Sequence, residues 1–291
     1  MSNKHAYLVI AHNQQQLLKV LLKTLDHPNN DIYVHLDKKM GNISLDSFYD
    51  NVKSSKLYFL SDRLNVKWGD FSQIECELRL LEASVPKQYQ YYHLMSGVDL
   101  PLKKQAEIHS FFEKHAGTEF VHFDAKKIDL SSYRRVSKYV FIQKRTKNVV
   151  DKFLYKIMMI FQLGIDRGKN TGLTYQKGAN WFSITNDLAK YVVSKRSLIE
   201  KQFKYTLCAD EIFLQTIVAS SNFINCISEN NFSDNYETIQ YCIDWNRGNP
   251  YVFRLDDFDY LMNSNMLFAR KFDWNIDSDI INKIYDKIIN S

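Results

Sequence analysis

Ala6-Tyr7-Leu8-Val9-Ile10-Ala11-His12 is a short apolar run that ends in a polar residue, and three more runs of that kind follow it. They are Asp31-Ile32-Tyr33-Val34-His35-Leu36-Asp37, Lys56-Leu57-Tyr58-Phe59-Leu60-Ser61 and Tyr89-Gln90-Tyr91-Tyr92-His93-Leu94-Met95-Ser96-Gly97. Helical periods lie between them at 14–25, 45–52 and 71–85, and in the last of these Phe71, Ile74, Leu78, Leu81 and Val85 share one face. Strands alternating with helices predict an α/β fold with a mostly parallel central sheet flanked by helices. Ligands of such sheets bind beyond the carboxyl ends of the strands, so His12-Asn13, Asp37-Lys38 and Gly97-Val98-Asp99 become candidate site loops. Further on, the polar and basic stretch 124–145 reads as a long loop over the site. A strand is expected at 179–185, helices from Asn186 and from Asp210, strands near 223–227 and 238–245, and closing helices from Asp256 and Ser278. Neither a composition break nor a fixed-period repeat divides the chain, so one domain is expected over residues 1–291.

With 45% hydrophobic and 14% aromatic residues in 291, the chain has enough apolar material for a large core. Cys76, Cys208, Cys226 and Cys242 are widely spaced, form no C-x-x-C pair and read as buried thiols of a reducing compartment. The first residues lead straight into the first strand, with no secretory pattern, and no window approaches about 18 consecutive apolar residues. A cytoplasmic protein is expected. Phe153-Leu154-Tyr155-Lys156-Ile157-Met158-Met159-Ile160-Phe161 is the longest apolar stretch and reads as a core helix rather than a segment resting on a membrane. The formal charge of +5 is modest, and Arg134, Arg135, Lys138, Lys144, Arg145 and Lys147 form a basic run suited to phosphates or anionic headgroups. No nucleic-acid-binding signature accompanies it, and no nucleic acid partner is expected.

Neither G-x-x-x-x-G-K nor G-x-G-x-x-G occurs, and no H-E-x-x-H or Cys/His cluster offers a transition-metal site. An Asp-x-Asp pair after an apolar strand would mark a divalent-metal sugar-nucleotide site, but Ser96-Gly97-Val98-Asp99-Leu100-Pro101 holds a single Asp. Asp257-Phe258-Asp259 and Asp277-Ser278-Asp279 fall at expected helix starts and read as caps. Two other stretches look chemical. Cys208-Ala209-Asp210-Glu211 sets acids at the start of an apolar helix, and Asn265-Met266-Leu267-Phe268-Ala269-Arg270-Lys271-Phe272-Asp273 is expected to end a helical segment in paired cations. Together they suggest a base and a phosphate clamp.

In order, the blocks 6–12, Tyr33-Val34-His35-Leu36-Asp37-Lys38, Trp68-Gly69-Asp70, Leu94-Met95-Ser96-Gly97-Val98-Asp99-Leu100-Pro101-Leu102, Gly178-Ala179-Asn180-Trp181-Phe182, Asp210-Glu211 and 267–273 resemble the core-2/I-branching β-1,6-N-acetylglucosaminyltransferase family, which includes peptide O-xylosyltransferases. The resemblance covers nearly the whole chain. It implies a GT-A type fold with a nucleotide-binding half at 1–123 and an acceptor and catalytic half at 124–291. It also implies inversion at the anomeric carbon, a UDP-sugar donor with GlcNAc favoured, and no metal or other cofactor.

By that resemblance Glu211 is the catalytic base, a role one carboxylate can fill in a direct displacement. Lys271 is one cation of the diphosphate clamp; the second does not align cleanly, and Arg254, Arg247 or Arg270 stands in for it, with Arg254 preferred. Ala11, His12, Asp37 and Lys38 fall on donor-binding strand ends. Asp99, Trp181, Trp245 and Arg134 are expected on the acceptor side. Animal members carry a membrane anchor and a disulfide-rich lumenal domain. For this chain the expectation is instead a cytoplasmic bacterial enzyme of surface-polysaccharide synthesis, acting on a glycan acceptor on a lipid carrier and in peripheral contact with the anionic inner membrane. A metal-dependent UDP-sugar transferase and a non-catalytic carbohydrate- or lipid-binding module are the alternatives.

Overall fold

The computed structural model describes residues 3–141, 143, 149–228 and 236–290. The chain begins β1 (His5–Ala11), α1 (Gln15–Leu25), β2 (Asn30–Leu36), α2 (Asp46–Tyr49), β3 (Lys56–Phe59), α3 (Ser72–Ser84), β4 (Tyr91–Ser96), β5 (Leu100–Pro101), α4 (Gln105–Lys114) and β6 (Phe120–Val121). It continues α5 (Leu130–Ser137), α6 (Val149–Ile160), β7 (Phe182–Thr185), α7 (Asn186–Ser194), α8 (Arg196–Phe203), α9 (Phe213–Ala219), β8 (Tyr241–Ile243), α10 (Phe258–Asn263), β9 (Phe268–Arg270) and α11 (Ser278–Asn290).

Among the described residues one sheet has the order β3-β2-β1-β4-β7-β6. β1 runs parallel to both β2 and β4, and β2 to β3, while β7 lies antiparallel to β4 and β6. Side chains alternate across a strand, and β1 is covered on both faces. Ala6 and Leu8 enter one core with Ile74, Leu78 and Leu81 of α3, whereas Tyr7, Val9 and Ala11 enter the other with the α1 leucines and Ile280, Ile281 and Ile284 of α11. Each fully buried leucine contributes on the order of 2 kcal/mol. The Tyr7 hydroxyl, sent inward from β1, donates to Gln105 Oε1 at 2.8 Å. Burial without that bond would be costly.

A second, small sheet has the order β5-β9-β8, with Leu100 opposite Ala269. It brings the C-terminal part of the chain against the carboxyl end of β4. Strand order reverses between β1 and β4, which opens a crevice at their carboxyl ends. Gly97 lets the two strand ends close on each other there: a Cβ on it would sit 2.9 Å from Ala11 Cβ, and its N–H donates to Ile10 O at 2.8 Å.

Several expectations change. The stretch 124–145 is no continuous loop, because Asp129 accepts the amides of Ser131 and Ser132 and starts α5. Lys144, Arg145 and Lys147 of the basic run lie outside the described residues. The helix expected from Asp210 starts at Phe213; Cys208 takes a left-handed conformation (φ 47°) and Ala209–Glu211 form a 3-10 turn before it. Residues 222–226 form a 3-10 helix instead of a strand, and only Ile227 bridges to Glu119. The segment expected to close a helix at 265–273 is strand β9, because β5 and β8 flank it. Cys76 and Cys242 are buried, but Cys226 is exposed.

The apolar stretch 153–161 is not a core helix: Phe153 is 61%, Phe161 81% and Leu163 81% exposed. Just beyond α6, Lys138 Nζ donates to Gln162 O (2.8 Å) and Gln162 Nε2 to Tyr139 O (3.0 Å). No helix among the described residues is long and apolar enough to cross a membrane.

Candidate active site

A cavity of about 740 Å³ opens at the β1–β4 switch point. His12 and Asp37 enter it from the ends of β1 and β2, Ser96 from β4, and Gln73 and Glu77 from α3. Residues 177–181, Asp210 and Glu211 form another wall, with Arg270 and Lys271 at the end of β9 and Trp68 and Trp245 at the rim.

Asp37 is fully buried and already occupied by its own loop. Its backbone N–H donates to Ala11 O (2.8 Å), and its carboxylate accepts Lys39 N (2.8 Å) and Val66 N (3.0 Å). Arg63 donates to the carbonyls of Leu36 (2.8 Å), Gly41 (2.8 Å) and Asp37 (2.6 Å), so the end of β2 is fixed before any ligand arrives. A carboxylate has about four acceptor positions, and two remain. Burial, then the Arg270 cation, push the His12 imidazole below its ordinary value and keep it neutral.

Glu211 stands on the 3-10 turn 209–211 with its side chain 39% exposed, and Arg135 Nη1 of α5 bonds its Oε2 at 3.1 Å. The same guanidinium donates to Leu207 O (2.8 Å) and to Cys208 O, fastening the turn that carries the acid. Gly178 N donates to Glu211 O at 2.9 Å, and a Cβ on Gly178 would lie 1.8 Å from His122 O. Only glycine fits that approach.

The two cations differ in their supports. Arg270 Nη1 bonds the fully buried Asp99 Oδ1 at 2.7 Å, and its guanidinium lies 4.4 Å from the Trp181 ring centre. Asp99 also accepts Ser96 N (2.8 Å) and faces the Tyr241 hydroxyl (3.4 Å). Burial raises the Asp99 carboxyl above its ordinary value although Arg270 opposes the rise. Lys271 lines the cavity, and its ammonium makes no ion pair or hydrogen bond among the described residues.

The cavity brings together Glu211, His12, Asp37, Lys271, Trp181 and Trp245. It omits five other expected residues. Ala11 is buried behind the wall, where its carbonyl accepts Asp37 N. Lys38 points away and its neighbour Lys39 faces in, because the 3-10 turn 38–40 advances the chain by a third of a turn per residue. Arg254 is exposed at the start of a 3-10 turn, its N–H donating to Asp257 (2.9 Å), and Arg247 is held by Asp244 (2.5 Å) and Asp257 (2.7 Å). Of the three arginines, Arg270 is the one that lines the cavity. Arg134 is exposed on the outer face of α5, whereas Arg135 reaches Glu211. Asp99 lies under Arg270, not in the cavity. Sequence reasoning gave Lys39, Trp68, Gln73, Glu77 and the Asp124–Lys177 pair no role in the cavity, although Trp68 stands in one of the resembling blocks. Among the described residues no group of three or more His, Cys, Asp or Glu is gathered as a metal site would require.

A carboxylate, two adjacent cations and strand-end loops around one crevice of an α/β sheet define a glycosyltransferase scaffold of the GT-A type. The chain belongs to the family described as Core-2/I-Branching enzyme, whose profile matches residues 5–260. Similar proteins include a xylosyltransferase of Ciona intestinalis, 24% identical over 97% of this chain and 34% of that protein. Others are xylosyltransferase 2 of Rattus norvegicus (24%, 95% and 32%) and xylosyltransferase sqv-6 of Caenorhabditis briggsae (26%, 92% and 34%). The chain thus spans about a third of the length of the relatives it matches.

Proposed function

We propose that the protein transfers a sugar from a UDP-sugar to an acceptor hydroxyl with inversion, without a divalent metal. The observation that carries this reading is that Glu211 and the Arg270–Lys271 pair face a single cavity at the strand switch point. Glu211 takes the proton of the acceptor hydroxyl as its oxygen bonds to the anomeric carbon. The bond from that carbon to the diphosphate oxygen breaks, and UDP leaves with the electron pair. Arg270 and Lys271 receive the growing charge as preorganised cations. His12, Asp37 and Lys39 face the nucleotide, and Trp245 offers its exposed ring to the acceptor sugar.

The xylosyltransferase relatives put UDP-xylose beside UDP-GlcNAc as donors to test first. Glu211→Gln keeps UDP-sugar binding and lowers transfer by roughly 100-fold or more, the usual contribution of a positioned base. Transfer within a few-fold of the unaltered protein would remove Glu211 from this role. Activity persists in excess EDTA; loss on chelation with recovery in manganese favours a metal-dependent transferase.

The acceptor reading is a lipid-linked glycan at the cytoplasmic face of an anionic membrane. It is supported by exposed Phe153, Leu154, Ile160 and Phe161 of and just beyond α6, interspersed with exposed Lys156. α6 lies one segment from Arg135, the partner of Glu211. Flotation with phosphatidylglycerol vesicles, weakened by Phe153→Ser with Phe161→Ser, is the expected result.

A further inference from the structure

The wall between the nucleotide loops and Glu211 holds a second pair of acids with no part in the chemistry above. Glu77 of α3 has no exposed surface and lines the cavity; neither carboxyl oxygen meets a partner at full hydrogen-bond geometry, and the polar group that faces it is the Asn180 side chain, which opposes the rise in its pKa. Asp210, 8% exposed, has one oxygen held by Gln73 Nε2 (3.0 Å) and the other, Oδ1, without a partner. Asn180 Oδ1, also on the cavity wall, has none either. Buried polar atoms in native proteins almost always find partners, so orphans gathered on a cavity wall point to a polar ligand.

The protonation states narrow the ligand. Desolvation, then the charge of Asp210, raise Glu77 well above the ordinary carboxylate range. Desolvation, then the charge of Glu211, push Asp210 up to about 7. Burial thus favours the neutral acid of Glu77, with one O–H to donate and oxygens to accept. That is the complement of a sugar hydroxyl. A phosphate would call for cations, and among the described residues neither Glu77 nor Asp210 is ion-paired to any cation of the cavity wall, Lys39, Lys177, Arg270 or Lys271. α3 packs on β1 and β2, whose ends hold the nucleotide side of the cavity, and Asp210 adjoins Glu211. A donor sugar must bridge those two places.

We propose that Glu77, with Asp210 and Asn180, binds the ring hydroxyls of the donor sugar and so determines which UDP-sugar the site accepts. This rests on the UDP-sugar reading given above. Calorimetry with UDP, UDP-xylose, UDP-GlcNAc, UDP-glucose and UDP-galactose, without acceptor, tests it on the full chain alongside UDP-sugar hydrolysis. Glu77→Leu removes unpaired polar atoms at similar volume, so its Tm equals or exceeds that of the unaltered protein. UDP affinity stays within about 2-fold, while the affinity advantage of the preferred UDP-sugar over the others and its hydrolysis kcat/KM fall by about 10-fold or more. Glu77→Gln, which still donates and accepts, stays within a few-fold. Unchanged sugar preference in Glu77→Leu overturns the proposal, as does an equal loss of Tm and activity in the Leu and Gln variants. Should Glu77→Leu fail to fold, Asn180→Ala decides by the same preference. An unaltered protein that binds neither UDP nor any of the four UDP-sugars defeats the functional reading and this proposal with it. UDP-sugar selectivity that survives in Glu77→Leu, or in Asn180→Ala should that variant replace it, defeats the proposal alone.

Discussion

Arg270→Met is the most informative single change, because Arg270 is both a cation of the cavity and the counter-charge of a carboxylate with no exposure to water. Asp99 is 0% and Arg270 18% exposed at a separation of 2.7 Å. Removing one partner of such a pair costs about 3–5 kcal/mol, since the remaining charge is stranded. Loss of the Trp181 contact, 4.4 Å from ring centre to guanidinium, adds up to about 1 kcal/mol. At about 2–4 °C per kcal/mol, Tm should fall by roughly 6–24 °C. Asp99 then has an escape, which is to protonate. Its folded-state value is already raised by burial and rises further without Arg270, so it binds protons more tightly folded than unfolded. The Asp99 contribution to the variant's stability is therefore fully present below the unfolded carboxylate value of 3.8 and is lost as pH climbs through the raised folded value.

Urea unfolding of the unaltered protein, Arg270→Met, Asp99→Asn and the double variant, each at pH 5 and pH 8, measures the effect. The double variant should recover about 1–3 kcal/mol relative to the sum of the single losses. UDP titration should weaken in both chains lacking Arg270. An Arg270→Met loss below about 1 kcal/mol at pH 8, or strict additivity, would refute the claim that Asp99 and Arg270 stabilise each other.

Lys271→Ala should do the opposite. With no partner to strand, it changes stability by less than about 0.5 kcal/mol, yet weakens UDP binding and lowers kcat; unchanged kinetics would take it out of the clamp. Gly178→Ala drives a methyl against His122 O and should displace the Glu211 turn, costing more than about 2 kcal/mol in thermal unfolding and most of the activity. Asp210 has a raised folded-state value, about 7 against 3.8, so its contribution to stability falls as pH rises from about 4 to 7. Asp210→Asn should flatten that part of a pH–stability curve, and an identical slope in both proteins counts against the buried acid.

β1 to β4, α1 and α3 were legible because strand and helix periods are local properties, and both cores demand them. α6 was misread for a related reason: apolar composition signals a wish for burial, but the partner surface is not written in the stretch itself. Glu211, Lys271, His12 and Asp37 came from ordered motifs. Arg254, expected at the donor, and Arg134, expected at the acceptor, stand outside the cavity through geometry that no local pattern carries. Arg270 is chosen because Asp99 lies beneath it, and Arg135 because it occupies the inner face of an eight-residue helix whose start depends on the Asp129 cap. The Lys38 and Lys39 exchange is a single step of a 3-10 turn.

The pairing of β5 with β9 has a consequence in time. Asp99 and Arg270 are 171 positions apart, so at a synthesis rate of about 5–20 residues per second the acid leaves the ribosome roughly 10–35 seconds before its counter-charge exists. Throughout that interval the small sheet lacks its middle strand, and Leu100–Pro101 presents an open edge. A nascent chain can assemble β1 to β4 as they emerge, but it cannot close the crevice until β9 has been made. Ribosome stalling within that interval would yield a sheet that binds nothing and exposes a surface ready to stick.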